Sequence, residues 1–483
     1  MAIRNHLRIA IIHRGMGTLP DAAGSAAQSL PPRGRRRRED LLAVCAVCHR
    51  EVPPEDLRAG DALAADVRAL AEGNVPGWRV EEGLCAECEA RFVAAAAYVR
   101  AHGRDPRQGG ILPTAVRLGA RDRFRGRGVT MAFLDAGFFA HPDLVHPRDR
   151  IVRYVDMRAV RQRRSDLDEP DHSSWHGMMT SVVACGNGHL SGGFYRGLAS
   201  EARLVLVKCG DGQRVPHDDI RRGLEWVLQH HRRLGIRVVN VSLGGDYEAS
   251  YLHDRLSQAV ERCTRAGLLV CAAVGNKGEE PGHPVLPPAS APSALTVGAL
   301  DDHNHLAFGG YGLYHSSYGP TVDGLQKPEV IAPGIWVAAP ILPRTPTAAQ
   351  AALLHRLDVA PDERLPALLA EGAGVDAELD AARGSDPAAL RQLVKAKLRQ
   401  HNVITGDYKH VDGSSFAAPI VSSVAAQMLE ANPALTPHQM KRLLVVTARR
   451  LADVAVDRQG WGVVDPERAV QAALAARPRP RKT

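Results

Sequence analysis

From Val129 onward, runs that are apolar at nearly every position alternate with stretches of helical character. "VTMAFLD", "ARLVLVKC", "IRVVNVSLGG", "LLVCAAVGN" and "SALTVGAL" are the apolar runs; "MMTSVVACG", "DDIRRGLEWVLQHHRRLG" and "RLSQAVERCTRAG" lie between them. A strand with one face in water alternates apolar and polar residues. These do not, so both of their faces must be covered. Helices packed on either side of a parallel sheet meet that demand. The pattern predicts an α/β fold with a doubly wound, mostly parallel sheet.

The sheet claims only part of 483 residues, a length too great for one small core. Residues 1–40, rich in Gly, Pro, Ala, Ser and Arg without sustained periodicity, read as a flexible basic segment. Residues 41–110 read as a small module bracketed by cysteines, whose closing helix "EARFVAAAAYVRAHG" ends at Gly103, and a connector follows. The sheet domain is expected over 121–475, interrupted by a helical insertion at 341–401. There Ser385-Asp386-Pro387 supplies a cap and a first-turn proline, and Leu390, Leu393, Val394 and Leu398 line one face. "TPHQMKRLLVVTARRL" and "GWGVVDPERAVQAAL" read as two helices around a short strand, and 476–483 as a basic tail. Much of the net charge of +8 sits in "RGRRRR" (Arg33 to Arg38) and "RPRPRKT". Such runs are usually solvated tails, so nucleic acid is not an expected partner. No run reaches the roughly 18 apolar residues of a membrane span. The N-terminal apolar run is short and broken by His and Arg, so no secretory leader is expected.

Polar residues at strand ends are where an open α/β sheet does chemistry. Asp135 ends the apolar run in "FLDAGF", where a carboxylate is costly without a hydrogen-bonding partner, and Gly137 is expected to let the chain turn. His176 and Gly177 open a helix of small apolar residues. Ser415 opens another, "VDGSSFAAPIVSSVAAQML", which carries no charge between Asp412 and Glu430 and must be buried nearly all round. A serine hydroxyl is a poor nucleophile at neutral pH; it needs a base within reach, and that base needs a carboxylate to hold it. Asn276, in the Gly-flanked turn of "CAAVGNKG", adds an amide able to donate to a developing oxyanion. Each alone has an ordinary reading: cap, structural histidine, turn residue. Together they point to nucleophilic catalysis.

"VTMAFLDAGFFAHPDL", "HGMMTSVVACG", "VVNVSLGG", "CAAVGNKG", "SSYGP", "KPEVIAPG" and "DGSSFAAP" resemble, in order, the signature blocks of the subtilisin-like serine proteases, across about 121–475 apart from the insertion. The resemblance implies a serine endopeptidase that acts on protein or peptide substrates through an acyl-enzyme. It implies Asp135 as orienting carboxylate, His176 as general base and then acid, Ser415 as nucleophile, and Asn276 with the Ser415 N–H as the oxyanion hole. Ser414 is then a structural hydroxyl. Ser242, Leu243, Gly244 and Gly245 would pair with the substrate backbone and line the pocket for the residue before the scissile bond. Ala273, Val274 and Gly275 would form the other wall, with Leu286 near the floor. Trp175 stands for the family's glycine, Met179 for its second histidine and Glu329 for its aspartate. "HPDL" resembles a stretch whose aspartate can bind calcium, which makes Asp143 a candidate ligand. No inhibitory prodomain of the usual type is recognised, as in intracellular members, although residues 1–40 have room for a short autoinhibitory segment. The alternative is a catalytically silent scaffold or partner-binding protein of the same fold. A third reading, compatible with the first, has the module or the insertion gate the protease.

Cys45 and Cys48 form one C-x-x-C pair and Cys85 and Cys88 another. Two such turns present four thiolates to one tetrahedral ion, so a structural zinc site is expected, with a redox dithiol pair as the alternative. His49, beside the first pair, is not needed as a ligand. "EDLRAGDALAADVRALAEG" is expected to fill the gap with helix. Few large apolar residues lie in 41–100, so folding of the module is expected to depend on its metal, and its role to be recruitment or positioning by binding protein or nucleic acid, a regulatory protein being one such partner. Cys185, Cys209, Cys263 and Cys271 sit singly in apolar stretches and read as small buried hydrophobes. Without a disulfide framework, the chain is expected to be cytoplasmic.

Overall fold

Val129 leads into the central strand of a sheet that has, among the described residues, eight strands. These are β1 (Thr130–Asp135), β2 (Ile151–Asp156), β3 (Arg203–Lys208), β4 (Ile236–Val241), β5 (Leu269–Ala273), β6 (Leu295–Asp301), β7 (Gly312–Leu313) and β8 (Val330–Pro333). Their order is β7-β6-β5-β4-β1-β3-β2, with β8 also on β6. Every pairing is parallel except β6 with β7. The computed structural model describes residues 43–476 apart from 49, 76, 106–109, 160–161, 211–213, 307 and 309. The segment expected over 1–40, His49 and residues 477–483 of the basic tail lie outside the described residues.

Successive residues of β1 serve opposite layers, as the two-residue period of a strand requires. Met131 and Phe133 pack in one core, Ala132 and Leu134 in the other. Helices α1 (Ser174–Cys185), α2 (His217–Leu234), α3 (Arg255–Arg265) and α4 (Ser414–Ala431) cover them: α1 and α4 on the first face, α2 and α3 on the second. Nearly every residue of α4 from Ser414 to Leu429 is buried, which is why it is built of Ala, Ser and Val. Strands β3 and β4 flank β1 on opposite sides, so the winding reverses there. A crevice therefore opens at the C-terminal ends of β1 and β4.

After β8, the strands β9 (Val337–Pro340) and β10 (Tyr408–Val411) pair antiparallel. Between them lie helices Pro346–Val359, Leu365–Glu371, Ala377–Ala381 and Pro387–Gln400, with a core of their own that includes Leu353, Leu357, Leu368 and Val394. Asp386 caps the last of these, accepting the Ala389 N–H at 3.3 Å, and Pro387 occupies its first turn. Helices α5 (Pro437–Thr447) and α6 (Pro466–Ala475) follow, with a single helical turn at Val456–Gln459 between them. The strand expected between them reduces to bridges from Val463 to Ile331 and Arg449, although Trp461, Gly462 and Val464 also hydrogen-bond the backbone of Glu329 and Ile331.

In the module, helix occupies Ala65–Asn74 and Ala86–Ala101; residues 54–62 form tight single turns and a short strand instead of the longer excursion expected. Its core does not close on itself. Val67, Leu70, Phe92 and Val99 share a cluster with Phe194, Tyr195, Leu306 and Tyr408 of the sheet domain. Tyr98 Oη donates to the Gly193 or Phe194 carbonyl, at 3.0 and 2.8 Å. All described residues fall in one compact unit. Among them, no helix is long and apolar enough to cross a membrane.

Candidate active site

β1 delivers Asp135, fully buried, to the crevice. His176 Nδ1 lies 2.6 Å from Asp135 Oδ1. That oxygen also takes the Ala136 N–H at 2.8 Å, and Oδ2 accepts from Thr180 Oγ1 at 2.9 Å. An ionised carboxylate only accepts, so Nδ1 carries the proton and Nε2 is left as an acceptor. Burial pulls the His176 imidazolium down, and the Asp135 charge and hydrogen bond raise it by more, so its pKa lies above the ordinary histidine value. Two glycines make this approach possible. A Cβ at Gly177 would overlap the Gly137 carbonyl and come 2.8 Å from Asp135 Cβ, and one at Gly137 would overlap Ser173. Gly137 does not adopt a left-handed conformation, so the requirement there is close packing and not the sharp turn expected.

Gly413 caps α4 at φ 138°, a value that side chains rarely permit, and donates its N–H to the Gly334 carbonyl at 2.7 Å. Ser414 and Ser415 follow. Pro419 lacks the N–H that would close the first turn onto the Ser415 carbonyl. Ser242 Oγ donates to that carbonyl instead, at 2.8 Å. Ser242 Oγ in turn accepts from Asn240 Nδ2 at 2.9 Å, and Asn240 Oδ1 accepts from Ser422 Oγ at 3.0 Å, so a buried polar chain ties β4 to α4. The Ser415 hydroxyl makes one long bond, 3.4 Å to the Ser242 carbonyl. Among the described residues, no hydrogen bond joins it to His176. The imidazole nevertheless stands beside Phe416, ring centres 5.7 Å apart, so His176 and Ser415 line the same cleft. Catalytic hydrogen bonds commonly tighten only around a bound substrate.

Asn276 Oδ1 accepts both the Ser414 N–H (3.0 Å) and Ser414 Oγ (2.7 Å). Those bonds fix which end of the amide is oxygen and leave Nδ2 toward Gly413, 3.7 Å from where a Cβ would stand. Ser414 Oγ also accepts the Gly275 N–H at 3.3 Å. Ser414 thus does more than expected of a structural hydroxyl, since it aims Asn276. Ser242 to Gly245 leave β4 without entering a helix, and the Gly245 N–H donates to the Pro287 carbonyl at 2.6 Å, which brings half-buried Leu286 near. Ala273 and Val274 are buried, and Gly275 takes φ 105°. Trp175 is 46% exposed and stands perpendicular to His176, ring centres 5.2 Å apart; Met179 is buried. Glu329 is held by Lys327 (2.7 Å) and Lys441 (2.6 Å), with its other oxygen on the Thr296 N–H. It serves packing. Thr180 and the role of Ser414 are absent from the sequence reading; a hydroxyl four residues after His176 is the one signal for the former.

Both oxygens of Asp143, the candidate calcium ligand, already accept hydrogen bonds from the protein. Its Oδ2 accepts from Tyr408 Oη at 2.6 Å and its Oδ1 from the Leu190 N–H at 3.0 Å, and among the described residues it belongs to no metal-ligating cluster. Cys45, Cys48, Cys85 and Cys88 do form one, buried, with their sulfurs all within 4.8 Å of one another. The Cys48 and Cys85 sulfurs are 3.7 Å apart. A tetrahedral ion with sulfur at about 2.3 Å has edges of about 3.8 Å, so the donor set fits a metal. Arg50 Nε donates to Cys48 Sγ at 3.3 Å, and the Cys85 N–H to Cys45 Sγ at 3.4 Å. All eight cysteines are free and buried. Burial pushes the Cys185, Cys263 and Cys271 thiols up to about 12, so they are inert packing groups.

Residues 126–462 match the model of the subtilase family, Peptidase S8. The serine protease AprX of Bacillus subtilis is 31% identical over 71% of this chain and 66% of its own length. Subtilisin BL of Lederbergia lenta is 32% identical over 44% of this chain and 65% of its own length. The chain thus spans about two thirds of each of these curated relatives. A solved protease of Pseudoalteromonas arctica gives a TM-score of 0.49 at 22% identity, over 76% of this chain and 94% of its own. With the family model matching well over half of its length, the chain belongs to the subtilase family.

Proposed function

We propose that this protein is a serine endopeptidase that hydrolyses peptide bonds through an acyl-enzyme. The observation that carries the reading is the Asp135–His176 pair, 2.6 Å apart at the reversal of the sheet and facing the start of the Ser415 helix. Ser415 Oγ attacks the scissile carbonyl carbon while His176 Nε2 takes its proton. The oxyanion receives the Ser415 N–H and Asn276 Nδ2, whose direction is set by Ser414. As the tetrahedral species collapses, His176 returns the proton to the leaving amine; water, activated by the same imidazole, then releases the acyl group. The substrate is a protein or peptide whose backbone lies along Ser242 to Gly245. Ala273, Val274, Gly275 and Leu286 suit an apolar residue of medium size before the scissile bond.

In the module, Cys45, Cys48, Cys85 and Cys88 hold zinc as a closed structural ion, which supplies no chemistry to the reaction. Four thiolates leave it no open position. The protein works in the cytoplasm; eight cysteines with no disulfide among them suit a reducing compartment. The module or the insertion offers a surface for a regulatory protein.

A fluorophosphonate probe is expected to label the wild-type protein and to leave Ser415→Ala unlabelled. Peptide turnover in that variant falls by about 10⁶, the size seen in subtilisin itself. Ser414→Ala keeps its label and appreciable turnover. A folded wild-type protein that takes no label would instead favour the silent scaffold.

A further inference from the structure

Arg117 is the largest fully buried side chain among the described residues. It ends a short helix, Thr114–Arg117, in the segment that joins the cysteine module to the sheet domain. A guanidinium inside a protein is expensive, and this one is not satisfied for its own sake: its Nε has no partner. Its other nitrogens are committed. Nη1 pairs with the buried Asp302 carboxylate, and Nη2 donates to the Trp336 carbonyl at 3.0 Å. The Arg117 carbonyl is itself held by Arg91, on the module helix Ala86–Ala101.

Trp336 is where this arrangement leads. Its φ is 60°, a left-handed conformation that is strained for a bulky aromatic residue. Three contacts hold it: the Arg117 donor, an indole N–H bond to Asp301 Oδ1 at 3.0 Å, and the His410 ring 4.8 Å away. Two residues earlier, the Gly334 carbonyl anchors the Gly413 N–H. A side chain at Gly334 would overlap Ala299 and come 3.0 Å from the Gly413 carbonyl, so backbone lies directly on backbone. Gly413 is the cap of α4, and the amides that follow it belong to Ser414 and Ser415.

We propose that Arg117 is a positioning residue for the peptidase reaction. Its guanidinium clamps the left-handed turn at Trp336, which fixes the Gly334 carbonyl and through it the start of the nucleophile helix. The proposal rests on Ser415 being the nucleophile. Arg117 itself touches no substrate. The substrate segment, Ser242 to Gly245, follows β4; it meets the nucleophile helix through Ser242, at Ser415, and among the described residues no hydrogen bond joins it to Arg117, Gly334 or Trp336. Loosening the clamp therefore displaces the oxyanion donors and the nucleophile while leaving ground-state binding alone.

Arg117→Lys keeps the charge opposite Asp302 but lacks the fork that reaches Trp336. With a short chromogenic peptide, its kcat is expected to fall roughly ten- to hundredfold with KM unchanged. Fluorophosphonate labelling slows in parallel, and the melting temperature stays within about 3 °C of wild type. The acid limb of the pH profile does not move, because the Asp135–His176 pair is untouched. A second variant guards against a folding defect. Arg117→Met with Asp302→Leu replaces the buried ion pair by apolar groups, a change that proteins tolerate, and still leaves the Trp336 carbonyl unheld. It is expected to show the same loss of kcat. Adding Trp336→Gly to either variant recovers part of the loss, since glycine needs no clamp at that φ. Arg449→Ala removes a different contact with the module, 3.8 Å from Glu87, and leaves kcat unchanged. Unchanged kcat in both Arg117 variants, or a loss confined to KM, overturns the proposal while wild-type labelling preserves the peptidase reading. An unlabelled wild-type protein overturns both.

Discussion

Asp135 acts on His176 through its charge and through a hydrogen bond, both opposed by burial. The balance raises the imidazole pKa above 6.5, and the reaction needs the neutral ring. As pH falls through the raised value, His176 takes a proton and the base is lost. The acid limb of kcat/KM is therefore expected to centre above 6.5, and Asp135→Asn, which leaves burial alone to act, should move it to lower pH while kcat falls by about 10⁴. A pH–rate profile measures both, and a limb unmoved by the substitution would count against the pairing. Asp135, His176, Asn276 and Ser415 are legible in the sequence because each interrupts an apolar run or opens a buried helix. Ser414 is legible only as a hydroxyl. Its hold on Asn276 joins residues 138 positions apart, and no local pattern encodes that meeting.

Pro419 and Ser242 together make a helix start that neither element makes alone. The proline withdraws a donor from the Ser415 carbonyl, and Ser242, just past β4, supplies another. Ser242→Ala leaves a buried carbonyl unsatisfied and is expected to cost about 1–3 kcal/mol in a denaturant titration. Pro419→Ala restores an N–H within the helix, so the double variant should recover most of that loss; no recovery would mean that the carbonyl is not the cause. The strands around β1 are easy to read because all their residues but Arg203, Lys208 and Arg237 are apolar or buried. β2 is not read, since its pattern mixes exposed Val152 and Arg153 with buried Val155 at the rim of the sheet. The β9–β10 pairing escapes for another reason. Its two strands are four residues each and stand on either side of the whole insertion.

The module and the sheet domain melt as one body if their core is shared as Phe194, Tyr195, Leu306 and Tyr408 share it with Val67 and Phe92. Stripping the metal with a chelator, or Cys48→Ser, is then expected to lower a single calorimetric transition for the whole protein, and one zinc per chain should restore it. A separate, low-temperature transition for the module would refute the shared core. Calcium should leave the transition where it is, because Tyr408 and Leu190 already occupy both oxygens of Asp143. The cysteine spacing makes the module legible as a metal site. Its dependence on residues far along the chain is not, since aromatic side chains at 194, 195 and 408 carry no local mark of the partner they bury.

Tyr408 also bears on the timing of synthesis. Residues 43–101 are translated well before Tyr408, yet Val67 and Phe92 share a core that Tyr408 completes, and Tyr408 lies on the strand that runs into Ser415. The stretch that completes the module's core and the stretch that carries Ser415 therefore emerge together. A nascent chain that stops short of Tyr408 has neither a finished module core nor the serine that follows it, so the two parts are completed in one step of synthesis.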